Sequence, residues 1–249
     1  MFLIIQTGDP VATASDQYGS FAQWFITGMG VQSDQVKTVD VHLGQTLPKS
    51  ATFIERLNGI VITGSAAMVT DHDDWLLSTQ RWLNQTFQYD IPTLGVCFGH
   101  QLLADMLGGT VGYNDQGRHM GLSLCELNES AKNDLLFKHI AHHSTPNNDQ
   151  ISTFVSHLQV VTALPETANL LGSTDKDKNH VFHAEKSLWG VQFHPEWTVE
   201  IMSTYIQARK PALLAEGFNP DIMIADLKPC HEAYSLLSDF THLALNSKT

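Results

Sequence analysis

The sequence Gly-Val-Cys-Phe-Gly-His-Gln at residues 95–101 places a cysteine at the centre of a Gly-x-Cys-x-Gly pentapeptide. The apolar run before it, residues 91–96, predicts a short buried strand, and the apolar spacing of residues 101–107 predicts a helix that ends at Gly108. A nucleophile elbow is a sharp strand-to-helix turn with small residues two positions before and after the nucleophile. The pattern therefore predicts that Cys97 is a nucleophile on such a turn.

A candidate base lies downstream, where residues 189–196 read Trp-Gly-Val-Gln-Phe-His-Pro-Glu. This segment is an apolar strand pattern that ends in a histidine, with a carboxylate two residues later. Residues two apart on an extended chain project to the same side, so Glu196 could hold the imidazole of His194 in one tautomer. His194 would then act on Cys97. The sequence thus predicts a catalytic triad of Cys97, His194 and Glu196.

Strand and helix patterns alternate along the chain, which favours an α/β fold with three layers, a mostly parallel central sheet and helices on both faces. We expect one domain over residues 1–249, with a catalytic core at 1–200 and a helical C-terminal extension at 201–249. The predicted elements are strands at residues 1–7, 35–41 and 60–63, a loop at 8–19, a helix through Phe21, Trp24 and Phe25, a helix at 75–87, a β-rich middle at 112–193 with a turn at Pro146, and tail helices broken at Pro211, Pro220 and Pro229.

With this elbow and this His-Pro-Glu segment, the chain resembles the class I glutamine amidotransferases. Within that family it is similar to the glutaminase domain of GMP synthetase and to free-standing γ-glutamyl peptidases. The resemblance covers about residues 1–200 and implies a flavodoxin-like fold. Further segments that agree in order and spacing are residues 61–65, 73–76, 119–122, 156–157 and 164–173.

The resemblance also implies the roles of individual residues. It implies hydrolysis of the γ-amide of glutamine through a thioester on Cys97. Two departures from the family pattern are Ala66, where many relatives carry proline, and the polar, turn-forming segment 144–149. The implied site residues are the backbone N–H groups of Ser65 and Phe98 as oxyanion donors, and Gly64, Gln101, Met120, Gly121 and His157 as substrate-binding residues.

Three functions stay open at this point. In an amidotransferase the ammonia passes to an ATP-dependent synthetase, and because no P-loop motif occurs in this sequence, we expect that synthetase to be a separate subunit. A free-standing γ-glutamyl peptidase or hydrolase needs no such partner. A catalytically silent regulatory or binding subunit is the third alternative, and the intact triad residues weigh against it.

Charge and composition limit the kinds of partner and surroundings that we expect for this chain. The chain has 14 Lys and Arg against 26 Asp and Glu, a formal net charge of −12, and no basic cluster that could follow phosphates, so we expect no nucleic acid partner. No apolar stretch reaches the roughly 18 residues of a membrane span. The start of the chain does not resemble a signal peptide. Three widely spaced cysteines suggest reduced thiols in a cytoplasmic protein.

Two polar tracts could be imagined as metal ligands: the histidines of residues 139–143 and the acidic run at 71–74. Neither has a second cluster at ligand spacing, and the proposed chemistry needs no metal. We therefore expect neither a metal site nor a cofactor, and only a glutamine or γ-glutamyl small molecule as ligand.

Overall fold

The computed structural model describes residues 1–143 and 149–247, except for the side chains of residues 142 and 143. The strands are β1 Phe2–Gln6, β2 Val36–Asp40, β3 Gly59–Ile62, β4 Thr93–Val96, β5 Thr110–Tyr113, β6 His119–Leu127, β7 Gln150–His157, β8 Gln159–Ala163, β9 Ala168–Ser173, β10 Val181–Ala184 and β11 Leu188–Val191. The helices are α1 Ala12–Tyr18, α2 Phe21–Met29, α3 Ala51–Glu55, α4 Asp74–Thr86, α5 Phe98–Met106, α6 Lys138–His143, α7 Val199–Ala208, α8 Lys210–Ala215, α9 Pro220–Ala225 and α10 His231–Asn246.

Within the described residues, nine strands form the central sheet in the order β2-β1-β3-β4-β11-β10-β9-β6-β7. The strands from β2 to β11 in this order are parallel, whereas β10, β9, β6 and β7 continue the sheet with antiparallel pairing. In the register of β4 with β11, Val96 lies opposite Val191. The segments that follow these two strands therefore leave the sheet side by side at one edge.

Two hydrophobic clusters cover the two faces of the sheet, and β1 shows how the sequence builds them. Phe2 and Ile4 belong to one cluster, and Leu3 and Ile5 to the other. Successive side chains of a strand point to opposite faces, so a wholly apolar strand needs cover on both. The helices supply this cover, and the predicted three-layer α/β fold follows. The parallel half of the sheet matches the prediction, and the antiparallel half makes the whole sheet mixed.

The C-terminal helices are packed into the body of the protein. Phe240 and Ala244 of α10 are fully buried and belong to the same hydrophobic cluster as Ile4. The hydroxyl of Thr241 also donates to the carbonyl oxygen of Met29 at 3.0 Å, which ties α10 to α2.

The prolines of the tail mark the beginnings of helices. Pro211 lies in the first turn of α8, and Pro220 is the first residue of α9. Pro229 precedes α10. Proline fits the first turn of a helix because its missing N–H would have had no partner there.

One predicted element is wrong. The segment 8–19 contains α1, where a loop was expected. The helix begins after Val11 with no side-chain cap, and Ala14 is its buried residue. Local sequence signals for a helix start are absent, so α1 depends on packing against α7 rather than on its own propensity. The predicted turn at Pro146 lies outside the described residues.

Two expectations about the surroundings of the chain can be compared with the structure. Cys97, Cys125 and Cys230 are all free, as predicted for reduced thiols. Among the helices of the described residues, none combines the length and the apolar character that a membrane crossing requires.

Candidate active site

Cys97 lies between β4 and α5 with φ of 51° and ψ of −101°, a backbone conformation that non-glycine residues rarely adopt. The flanking glycines make the turn sterically feasible. A Cβ on Gly95 would collide with the backbone of Gly99, and a Cβ on Gly99 would collide with the backbone of Ile62. The elbow therefore places Cys97 at the N-terminus of α5, where the positive end of the helix favours a thiolate.

His194 follows β11 and is held by a carboxylate. Its Nδ1 lies 2.7 Å from Oε1 of Glu196, and both side chains are buried. Burial alone would lower the pKa of His194, but the charges of Glu196 and Cys97, together with hydrogen bonds to both, raise it to about 10. At neutral pH the imidazole is therefore protonated beside the sulfur of Cys97.

Aromatic rings fix the orientation of the imidazole from the other side. The rings of His194 and Trp197 stack with centroids 3.9 Å apart and planes at 14°. Trp197 packs in turn on Tyr205 of α7, at 4.2 Å between centroids. The phenolic oxygen of Tyr205 accepts a hydrogen bond from the backbone N–H of Val11 at 3.3 Å. Through Trp197 and Tyr205, the ring of His194 is thus supported by α7 and by Val11, the residue before α1.

Gly64 lies directly against two triad residues. A Cβ at this position would be 2.8 Å from Cε1 of His194 and 3.6 Å from Cβ of Cys97. The hydroxyl of Thr7 lies 2.9 Å from the carbonyl oxygen of Thr63 and 3.0 Å from that of Gly64. This buried threonine anchors the loop that follows β3, and only a glycine leaves room there for the imidazole.

The predicted oxyanion donors are the backbone N–H groups of Phe98, the residue after Cys97, and Ser65, the residue after Gly64. Phe98 is the first residue of α5, so its N–H has no acceptor within the helix and is available to a ligand. Ser65 follows Gly64 and lines the cavity next to His194. The thiol of Cys97 is 3.9 Å from the carbonyl oxygen of Ser156 in β7. These positions are compatible with the predicted roles of the Ser65 and Phe98 backbone, which stay predictions.

A small cavity of about 50 Å³ adjoins His194. It lies between the ring of His194 and the loop that carries Ser65. The lining residues are Asp9, Val11, Phe21, Ser65, Ala66, Ser156, His194, Trp197, Tyr205 and Arg209.

Gln101 and His157 were predicted to bind substrate, and the structure engages both side chains elsewhere. The amide of Gln101 donates to the carbonyl oxygen of Gln159 at 2.7 Å and to Oε1 of Gln192 at 3.0 Å. Nδ1 of His157 lies 3.0 Å from the carbonyl oxygen of Gln159. Both residues stay predictions as ligands of the substrate.

Met120 and Gly121 lie on β6, which carries them toward the site. Met120 pairs with Ser156 across the β6–β7 ladder, and Ser156 is the residue that contacts the Cys97 thiol. Gly121 has a φ of 110°, a conformation that favours glycine. Their predicted role through backbone groups agrees with this position and is not tested by it.

Sequence reasoning missed two charged residues of the cavity. Asp9 lies in the segment expected to be a loop, and Arg209 lies in the tail beyond the reach of the resemblance. The Nε atom of Arg209 is buried and, within the described residues, has no hydrogen-bond partner. A usable signal existed for Asp9, because it follows β1 at the carboxyl edge of the parallel strands, where α/β proteins bind ligands.

Comparisons with known proteins agree with this geometry. The chain is 29% identical over 186 residues to γ-glutamyl peptidase 5 of Arabidopsis thaliana, an alignment that covers 74% of this chain and 71% of the peptidase. It is 36% identical over 108 residues to one subunit of the glutamine-hydrolysing GMP synthase of Methanosphaera stadtmanae, covering 43% of this chain and 52% of that subunit. The latter match thus spans about half of its relative.

A glutamine amidotransferase structure from Thermotoga maritima superimposes with a TM-score of 0.75 over 99% of both chains, at 19% identity, which shows the shared fold. The family model of glutamine amidotransferase class-I matches residues 13–210. The chain therefore belongs to the class I glutamine amidotransferases. The predicted family and fold class are both confirmed.

Proposed function

We propose that this protein is a glutaminase of the amidotransferase type, which hydrolyses the γ-amide of glutamine through a thioester on Cys97 and delivers ammonia to a separate synthetase. The observation that carries the proposal is the grouping of three residues: His194 and the elbow cysteine lie against the same glycine, Gly64, and the carboxylate of Glu196 is 2.7 Å from the buried imidazole. The raised pKa of His194, about 10, supports an ion pair of imidazolium and thiolate in the resting enzyme.

The reaction runs in two halves. The sulfur of Cys97 attacks the γ-carbonyl carbon, and the N–H groups of Ser65 and Phe98 stabilise the oxyanion. The tetrahedral intermediate collapses, the carbon–nitrogen bond breaks, and His194 gives its proton to the leaving amine. Water then loses a proton to His194 and attacks the thioester carbon, which releases glutamate and the thiolate. Glu196 keeps the imidazole in one orientation throughout.

Charges in the cavity support an α-amino acid as the ligand. Glutamine and γ-glutamyl compounds carry one ammonium and one carboxylate at the end remote from the reacting carbon. Asp9 and Arg209 supply the complementary charges in the lining. The buried, unpaired Nε of Arg209 is a ready donor for a carboxylate. The predicted backbone contacts of Gly64, Met120 and Gly121 would complete the binding site.

The second candidate is a free-standing γ-glutamyl peptidase. It is favoured by the extent of the match, since the alignment with γ-glutamyl peptidase 5 covers 71% of that protein, against 52% for the GMP synthase subunit. In this function the leaving group is the amine of a peptide instead of ammonia, and no synthetase is needed.

A release assay distinguishes the alternatives. Ammonia and glutamate are measured with the purified chain, using free glutamine and a series of γ-glutamyl dipeptides, with Cys97→Ala as the blank. A separate synthetase partner would be indicated by slow glutamine hydrolysis that a partner accelerates, and a peptidase by dipeptide turnover that needs no addition. Absence of turnover and of covalent labelling at Cys97 would instead favour the silent subunit.

Ala66 gives an expected rate for free glutamine in this assay. Because alanine stands where many relatives have proline, the oxyanion loop has more conformational freedom. A donor that points away from the oxyanion costs about 3 kcal/mol of transition-state stabilisation. We therefore expect slow hydrolysis of free glutamine by the isolated chain. Hydrolysis at tens per second with a low-millimolar Michaelis constant would show that the oxyanion loop of the isolated chain already points its N–H donor at the oxyanion.

A further inference from the structure

A second cluster of buried ionisable side chains lies in the antiparallel half of the sheet. His119 on β6 and His157 on β7 are opposite each other in the strand register. Asp177 lies in the connection between β9 and β10, and His180 directly precedes β10. All four side chains are buried, and their ring centroids are 5.2–6.4 Å apart where two histidines face each other.

This cluster contains buried nitrogen atoms without partners. Nε2 of His157, Nε2 of His180 and Nδ1 of His119 have no hydrogen-bond partner within the described residues. Buried polar atoms in native proteins are paired with protein groups, with water or with an ion, because an unpaired one is costly. Three such atoms in one place can be satisfied by ordered water or by an ion.

The tautomer of His157 is set as it is in metal-binding histidines. Its Nδ1 lies 3.0 Å from the carbonyl oxygen of Gln159, so this nitrogen donates and Nε2 is left as an acceptor. Histidine ligands of metals donate their other N–H to a carbonyl or a carboxylate in this way.

Asp177 supplies negative charge that the cluster does not balance with a basic side chain. Within the described residues, its ion-pair partner is His180, with 2.8 Å between the carboxylate and Nδ1. The Asp177 carboxylate is buried against this imidazole. A divalent cation would neutralise it, because no lysine or arginine pairs with it among those residues.

We propose that His157, Asp177 and His180 form a binding site for one divalent cation of the zinc class. One potential ligand atom from each residue lies within 4.8 Å of those of the other two. Ligands of one zinc ion are about 3.3 Å apart, given bond lengths of about 2.0–2.1 Å, so small side-chain rotations close the site. Two imidazoles and a carboxylate suit zinc or cobalt and are a poor set for magnesium or calcium. His119 is placed next to the site as an additional donor.

The site is separate from the triad and was not predicted. The sequence analysis considered the histidines of residues 139–143 and expected no metal. The inference does not depend on the proposed reaction, because no proton transfer or bond change in that reaction uses the side chains of the cluster, although His157 stays a predicted substrate-binding residue. A cation here would join β7 to the connection between β9 and β10.

The test uses the Cys97→Ala chain, so that the catalytic thiol cannot bind the probe. The protein is treated with a chelator, desalted and titrated with Co²⁺ and then Zn²⁺. We expect one Co²⁺ per chain, with visible bands of a four- or five-coordinate nitrogen and oxygen site and no sulfur charge-transfer band, and displacement of cobalt by zinc. His157→Gln and His180→Asn should each abolish this binding.

Two control variants each remove a histidine that lies outside the site. His139→Gln removes an exposed histidine of α6, and His42→Gln removes a histidine that pairs with a carboxylate, Asp9, at 3.0 Å but has no second histidine there. Both should keep the stoichiometry of one. Zn²⁺ should also raise the thermal midpoint of the Cys97→Ala chain and not that of His180→Asn.

The proposal is overturned if the Cys97→Ala chain takes up no stoichiometric cation and its thermal midpoint does not respond to Zn²⁺, which would leave ordered water as the occupant. It is also overturned if binding survives in folded His157→Gln and His180→Asn, or is lost in His139→Gln. Circular dichroism shows whether each variant is folded. Should both cluster variants unfold, the cobalt spectrum of the Cys97→Ala chain and the thermal response of its His139→Gln and His42→Gln controls decide the question.

Discussion

Two buried carboxylate–imidazole pairs in this protein are nearly identical in geometry and differ in what faces them. Glu196 is 2.7 Å from Nδ1 of His194, and Asp177 is 2.8 Å from Nδ1 of His180. In each pair the carboxylate comes from a residue two or three positions away along the chain, and both side chains are almost fully excluded from solvent. The pair itself therefore does not decide the chemistry.

The groups next to each carboxylate–imidazole pair decide its chemistry. His194 follows a strand of the parallel half, beside the elbow that carries Cys97, where we propose that its proton is exchanged with a nucleophile and a leaving group. His180 precedes a strand of the antiparallel half and faces His157 and His119. A carboxylate-held imidazole is thus suited to acid–base catalysis in one half of the sheet, and by our proposal to metal binding in the other.

The largest expected effect is at Cys97, which distinguishes the first pair from the second. Cys97→Ala should reduce turnover by roughly a thousandfold or more, because the covalent route is lost, with the fold unchanged. The measurement is kcat for γ-glutamyl amide hydrolysis, with circular dichroism as the check on folding.

The control for this prediction uses His194. His194→Ala should be nearly as damaging, and a double variant with Cys97→Ala should be little worse than either single one, because the two groups act as a unit. Near wild-type activity in Cys97→Ala would contradict the assignment of Cys97 as the nucleophile. A strictly additive double variant would contradict the assignment of His194 as the base that acts with Cys97.

The next effect concerns the carboxylate of the catalytic pair. Glu196→Gln should reduce kcat/KM by roughly a hundredfold, since the amide still orients the ring but no longer stabilises its charge. Removing the negative charge lowers the pKa of His194 from about 10, so the alkaline limb of the pH profile should move to lower pH. The pH dependence of kcat/KM tests this, and an unmoved alkaline limb would exclude His194 as the titrating group.

A smaller effect is expected at Arg209, which lines the cavity without contacting the reacting atoms. Arg209→Gln removes the charged donor for the substrate carboxylate and should raise KM by about 10- to 100-fold, with kcat changed less. Lys210→Gln is the matched control, because the neighbouring lysine pairs with Asp221 on the surface. Equal KM changes in the two variants would show that only the general charge of the tail matters.

The smallest effect on activity should come from the carboxylate of the second pair. Asp177→Asn, measured with a chelator present, should change kcat/KM by less than about threefold and lower the free energy of unfolding by about 1–3 kcal/mol, the cost of weakening a buried hydrogen-bonded charge. Urea unfolding and steady-state kinetics on the same preparation test this. A hundredfold loss of activity would show that the two carboxylate–imidazole pairs act as one functional unit.

The parallel half could be predicted from sequence because its signals are local. Apolar runs and helical spacing located β1 to β4, α2, α4 and α5, and the elbow and the His-Pro-Glu segment each follow a strand directly. The contact of Glu196 with His194 was predicted from their spacing alone and is confirmed as a contact. Their catalytic roles stay predictions.

The histidine cluster and the position of Arg209 could not be predicted from the sequence, because they depend on the pairing of segments that are distant along the chain. His119 and His157 meet because β6 and β7 pair in one register, and no spacing rule gives that register. Arg209 reaches the cavity only because α7 packs beside α1, the helix that sequence signals missed. An Asp-x-x-His such as residues 177–180 is too common in sequences to indicate a site without its three-dimensional neighbours.

Covalent labelling with a glutamine-analogue diazoketone tests the central claim most directly. Burial raises the pKa of Cys125 and, to about 12, that of Cys230, so neither is a thiolate at neutral pH, whereas Cys97 lies at a helix N-terminus beside a protonated imidazole. Peptide mass spectrometry should find one adduct per chain, on Cys97, and free glutamine or a γ-glutamyl dipeptide should protect it. Labelling chiefly at Cys125 or Cys230, or labelling of Cys97 that no γ-glutamyl compound prevents, would contradict the account.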